Sequence, residues 1–69
     1  MNNAKTFGTK TFTVGEMVSE NSLRGRIGRV IAVSDEGVRV ARRNSFEEFT
    51  VAASLIRCGG LDHFTPIFG

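Results

Sequence analysis

Residues 25–40 read GRIGRVIAVSDEGVRV. Ile27, Val30, Ile31 and Val33 are β-branched or aliphatic, the residue types that suit a pleated, half-buried surface. SDEG at 34–37 is a tight turn, with Gly37 able to take a positive φ. Alternation resumes after it: Val38 and Val40 point one way and Arg39 the other. These features predict an antiparallel hairpin of residues 27–34 and 38–43. Gly28 inside the first strand weakens it. A glycine there marks a bulge, a sharp bend or a close backbone approach.

Working toward the N-terminus, SENSLRGR at 19–26 is turn-rich and reads as a loop. TFTVGEMV at 11–18 alternates through Phe12 and Val14 and predicts a strand with one buried face, Gly15 allowing a bend. Residues 1–10 are polar, and with Lys5 and Lys10 they read as a flexible basic arm.

Toward the C-terminus, two readings compete over residues 46–57. Ser45 and Glu48 match a capping box, and Phe49, Ala52, Ala53 and Ile56 recur at helical spacing. Alternatively, Phe49 and Val51 share the face of a strand, and AASL makes one helical turn. The fold reading takes the second option. Residues 59–69 form an apolar tail behind Gly59 and Gly60. Leu61, Phe64, Ile67 and Phe68 are too apolar for a plain disordered end, and Pro66 disfavours a long strand.

Composition bounds the function. The chain has 69 residues, 41% of them hydrophobic, so it is one domain near the lower limit of independent stability. Cys58 is the single cysteine and His63 the single histidine, too few for a disulfide or a structural zinc site. No metal or cofactor is expected. No apolar run approaches the ~20 residues of a membrane span, and MNNAKTFGTK lacks the apolar core of a secretory signal. A cytoplasmic protein without membrane association is the expectation.

Charge is unevenly placed. The net charge is +2, yet residues 24–43 carry six arginines against Asp35 and Glu36, a local charge of +4. Arg24, Arg26, Arg29, Arg39, Arg42 and Arg43 are the candidate phosphate contacts. A merely solvated basic face is the competing explanation. Phe46, between the basic strands, is either a stacking residue or core, and core is the expectation. A nucleotide loop is excluded. RGRIGR at 24–29 lacks the Lys-Ser/Thr ending of a P-loop and the third glycine of a dinucleotide fingerprint. Catalysis has little to stand on. Glu47 and Glu48 face opposite sides of a strand, and Cys58 and His63 have no third partner.

The run GRIGRVIAVSDEGVRV resembles the KOW motif of small SH3-like β-barrels, found in ribosomal proteins and bacterial transcription-elongation factors. Gly28, Val30, Val33, Val38 and Val40 fill that motif's glycine and valine places. VGEMV at 14–18 looks like the first strand of such domains, and FTVAASLIR at 49–57 like their closing strand, helical turn and last short strand. The resemblance implies an all-β, SH3-like five-strand barrel with one short helical turn over residues 11–58. It also implies a non-enzymatic module that binds RNA, DNA, or a ribosomal or polymerase protein. The alternative is a protein-interaction or homo-oligomerising module that uses Phe64, Ile67 and Phe68 of the tail. Type II dihydrofolate reductases are SH3-like barrels of similar length, but their Val-Gln-Ile-Tyr pore strand has no counterpart at residues 48–51, EFTV.

Overall fold

The computed structural model describes residues 3–22 and 25–65. It is an all-β fold with a single short helix among the described residues. The strands are β1 (Ala4–Phe7), β2 (Lys10–Thr13), β3 (Met17–Glu20), β4 (Ile27–Ser34), β5 (Gly37–Arg42), β6 (Glu48–Ala52) and β7 (Leu61–His63). Helix α1 (Ala53–Arg57) lies between β6 and β7. β1 and β2 pair as a two-stranded ribbon, and the others form one antiparallel sheet in the order β6-β5-β4-β3-β7.

The β4–β5 hairpin forms as its sequence demands. Ser34 pairs with Gly37 across the two-residue turn, Val33 with Val38, and Val30 with Val40. Between Val30 and Ala32 the register shifts, and Ile31 bulges outward, 38% exposed. The bulge has a reason in the sequence. Val30 and Val33 are three residues apart and can both face the core only if one residue between them is displaced. Of the three roles open to Gly28, the structure shows the close backbone approach. A Cβ there would stand 2.3 Å from the Ala41 carbonyl oxygen and 2.5 Å from Val40 Cγ1. Gly28 therefore lets β5 lie close against β4. Gly37 is similarly committed, with φ +150° and its α-carbon packed onto the Val51 carbonyl.

Three expectations are corrected. The sheet does not close into a five-strand barrel. Its hydrogen-bonded order is open, and β6 and β7 are its two edges among the described residues. The β1–β2 ribbon covers the core instead, with Phe7 and Phe12 essentially inaccessible. Residues 1–10 are thus no loose arm over 4–10, because β1 pairs with β2 in full register from Ala4↔Thr13 to Phe7↔Lys10. Residues 11–18 are not one strand. Gly15, at φ +99°, separates β2 from β3 and leaves Val14 exposed. The start of the tail, too apolar for a disordered end, packs on its own fold: β7 pairs with β3 and Leu61 is fully buried.

The ambiguity over 46–57 resolves as strand plus helix. β6 pairs along β5, Val38 with Val51 and Val40 with Phe49. Ser45 Oγ accepts from the Glu47 N–H at 3.1 Å, so it shapes the turn and does not cap a helix. Helix α1 has no side-chain cap. The Ala53 N–H donates instead to the Glu36 carbonyl at 2.9 Å, tying the helix to the β4–β5 turn. At its other end Gly59 and Gly60 donate to Ile56 and Leu55, and Gly60 is buried against Leu55. Phe7, Phe12, Val18, Val30, Val38, Val40, Val51, Ile56 and Leu61 make up the fully buried core, with Ala53 beside them. No described helix is long and apolar enough to cross a membrane.

Candidate nucleic-acid interface

Strand register assembles the site. Met17 lies opposite Arg29, Arg29 opposite Ala41, and Ala41 opposite Glu48, one continuous row over β3, β4, β5 and β6. Side chains on such a row share a face. The neighbouring rows on either side, Val18–Gly28–Arg42 and Val30–Val40–Phe49, supply Val18, Val30 and Val40 to the core, so the Met17 row faces outward. Bulged Ile31 joins it. Met17, Arg29, Ile31, Ala41, Arg42 and Arg43 line a surface groove of about 330 Å³. The floor is apolar and the rim basic.

The arginines of the 24–43 cluster have different occupations. Arg24 lies outside the described residues. Arg26 holds Glu20 with both forks of its guanidinium, Nε to Oε1 at 2.7 Å and Nη2 to Oε2 at 2.8 Å. It also reaches Glu47 at 3.3 Å and stacks 3.9 Å from the Phe49 ring centroid. Those hydrogen bonds from Arg26 hold the Glu20 carboxyl below the ordinary glutamate range, and Glu20 in turn raises the Arg26 guanidinium pKa. Arg26 is a structural clamp between the β3–β4 and β5–β6 loops.

Arg39 pairs with Glu48 at 2.7 Å and Arg42 with Glu47 at 3.0 Å. Glu47 and Glu48 thus turn to opposite sides, as strand alternation requires. Arg29 donates to the Gly15 carbonyl at 2.9 Å and has no acidic partner. Among the described residues the Arg43 side chain makes no hydrogen bond or ion pair, while its backbone N–H donates to Ile27 at 2.8 Å. The local +4 charge is therefore largely matched by Glu20, Glu47 and Glu48, acids that lie outside the 24–43 segment. The pairing of Glu47 and Glu48 depends on the β5–β6 register, and that of Glu20 on the meeting of the β3 and β4 ends. Arg29 and Arg43 remain as cations without an acid, and both border the groove.

Phe46 is not core. It stands fully exposed (107%) in the loop between β5 and β6, the loop that begins at Arg43. Of the tail residues expected at a protein interface, Phe64 is half-buried and donates its N–H to Met17 at 2.8 Å, extending the β3–β7 ladder. Ile67 and Phe68 lie outside the described residues.

His63 sits apart from the groove. Its Nε2 is 2.8 Å from the Thr11 carbonyl, and its ring stacks on Phe12 at 4.8 Å. Cys58 is exposed at the end of α1. Among the described residues no three His, Cys, Asp or Glu side chains gather where they could hold a metal ion. No protein-family model, curated protein or solved structure matches the chain.

Proposed function

We propose that this chain is a small non-enzymatic binding module of the SH3-like, KOW-related kind, which binds nucleic acid or a ribonucleoprotein through the outer face of its sheet. One observation carries the reading: Arg29 and Arg43, the two described arginines of the basic cluster without an acidic partner, border a single groove floored by Met17, Ile31 and Ala41. Phosphate oxygens supply the missing anionic partners, and the apolar floor accommodates sugar or base. Arg39 and Arg42 contribute by exchanging Glu48 and Glu47 for phosphate, at the cost of breaking an exposed pair worth about 0–1 kcal/mol. Arg26 contributes through the loop it holds and not by direct contact.

An NMR titration of the full chain with a short RNA and a short DNA duplex, at low and high salt, tests this. Backbone shifts at Arg29, Ala41 and Arg43 at low salt, fading as salt rises, are expected. The Arg29→Ala, Arg43→Ala double variant should flatten the log–log salt slope by about 1.4 on a single strand or 1.8 on a duplex. Unperturbed resonances across the groove at low salt with both ligands would remove the proposal.

A further inference from the structure

The sharpest unassigned feature is the ring of Phe46. The loop that carries it, residues 43–46, folds without that ring. Its hairpin is closed by the Arg42 N–H on the Glu47 carbonyl at 2.8 Å, and its base is tied by the Arg43 N–H on Ile27 at 2.8 Å. Asn44 adopts the left-handed conformation, φ +60°, that asparagine tolerates, and Ser45 Oγ receives the Glu47 N–H. The other exposed large hydrophobics, Val14, Ile31 and Leu55, keep half or more of their surface covered, whereas Phe46 keeps none. A phenylalanine in this position forgoes all of its burial free energy. It presents an uncovered apolar ring on the same short loop as Arg43, which itself borders the groove.

We infer that the nucleic acid taken by this face is single-stranded, with one unpaired base seated on the Phe46 ring while Arg43 and Arg29 hold neighbouring phosphates. The inference rests on the nucleic-acid reading above and names its ligand class. Bases in a duplex stack on one another and show side chains only their edges. An unpaired strand offers π-faces, and aromatic side chains on basic surfaces bind these with little sequence preference. A lipid surface fits less well. Glu47 follows Phe46 directly in the chain and keeps a half-exposed carboxylate, so a flat anionic bilayer reached by the ring would approach that charge too. A strand passing along the groove need not.

Labelled twelve-residue oligouridine and a twelve-base-pair DNA hairpin, titrated by fluorescence anisotropy against the full chain, test the inference. Phe46→Ala should weaken oligouridine binding about fivefold or more, the effect of one stacked base, and change hairpin binding less than twofold. Its thermal melt should match the parent, because the ring packs on nothing. Phe46→Trp should retain oligouridine affinity. Since the chain contains no Trp or Tyr, the new indole is the sole strong fluorophore, and a stacked base should quench it at saturation. Undiminished oligouridine binding by Phe46→Ala, an equal loss on the hairpin, or unquenched Trp emission would overturn the stacking inference. In those cases loss of binding in the Arg29→Ala, Arg43→Ala variant would still sustain the proposed function. If the parent chain binds neither ligand, both readings fall. Binding to vesicles of 30% phosphatidylserine, lost in Phe46→Ala and without oligouridine binding, would assign the ring to a lipid surface and overturn the inference.

Discussion

The Arg26 guanidinium lies 3.9 Å from the centre of the Phe49 ring while both of its forks hold Glu20. That relationship separates two kinds of arginine within one basic cluster. Arg26 is held by an aromatic face, a bidentate carboxylate and a second contact to Glu47. Arg29 and Arg43 have no such set of partners. Removing Arg26 strands a Glu20 side chain that is only 12% exposed. Arg26→Ala is therefore expected to cost about 2 kcal/mol of stability, combining a partly buried charged pair with a cation–π contact. Arg43→Ala should stay within about 0.5 kcal/mol of the parent. Denaturant unfolding of the two variants checks this. Equal stabilities would show that the clamp contributes nothing.

Phe7→Ala tests whether the N-terminal ribbon belongs to the domain. Phe7 is 1% exposed and lies 6.5 Å, centroid to centroid, from Phe12. Truncating a buried phenylalanine costs about 3–5 kcal/mol. A chain of 69 residues has only about 3–10 kcal/mol in total. The variant should therefore be largely unfolded or melt far below the parent in circular dichroism. An unchanged melting temperature would return residues 4–10 to the status of an arm.

Legibility in this sequence follows the range of the determining contacts. The β4–β5 hairpin was readable because its valines alternate locally and its turn is two residues long. The ribbon was not, because Phe7 stands alone among polar neighbours and sets up no period. Its burial depends on pairing with β2 and on packing over a sheet formed by distant residues. The bulge at Ile31 left a trace in the three-residue spacing of Val30 and Val33, but the sequence signal for a bulge, a glycine inside the strand, stood at Gly28 instead. For the site, the arginines were visible as a run, but the acids that neutralise three of them were not. Glu20, Glu47 and Glu48 reach the cluster only through cross-strand register, which fixes partners that linear charge cannot reveal.

Gly28→Ala tests the close approach of β4 and β5. An added Cβ would stand 2.3 Å from the Ala41 carbonyl oxygen, an atom of backbone that no rotamer change can move. Overpacking of this kind costs about 1–3 kcal/mol or more, here at the upper end because the ladder itself must shift. The Ala41–Arg29 pairing, and with it the groove, should loosen in the same variant. Amide hydrogen exchange along β4 and β5 measures both effects. Parent-like protection at Val30 and Val40 would mean that the strands do not need a glycine.

Acid should unfold this protein partly through Glu20 and Asp62. Hydrogen bonds from Arg26 hold the Glu20 carboxyl below the usual 4.5, with burial opposing the shift. Hydrogen bonds from Lys10 and then Asn21 hold the Asp62 carboxyl below the usual 3.8. In both cases the folded state releases the proton more readily than the unfolded state. The resulting stabilisation is fully present above the ordinary carboxylate range and is lost as pH falls through the depressed folded values. Stability should therefore be flat near neutrality and decline below about pH 4.5. Glu20→Gln removes one titrating group. It should cost about 1 kcal/mol at pH 7, where the charged pair is intact, and less at an acid pH on the declining limb of the parent's stability, where that pair is being lost. Urea unfolding of parent and variant at the two pH values provides the comparison. A stability difference that stays constant between them would show that the Glu20 charge, as distinct from its shape and hydrogen bonds, has no part in holding Arg26.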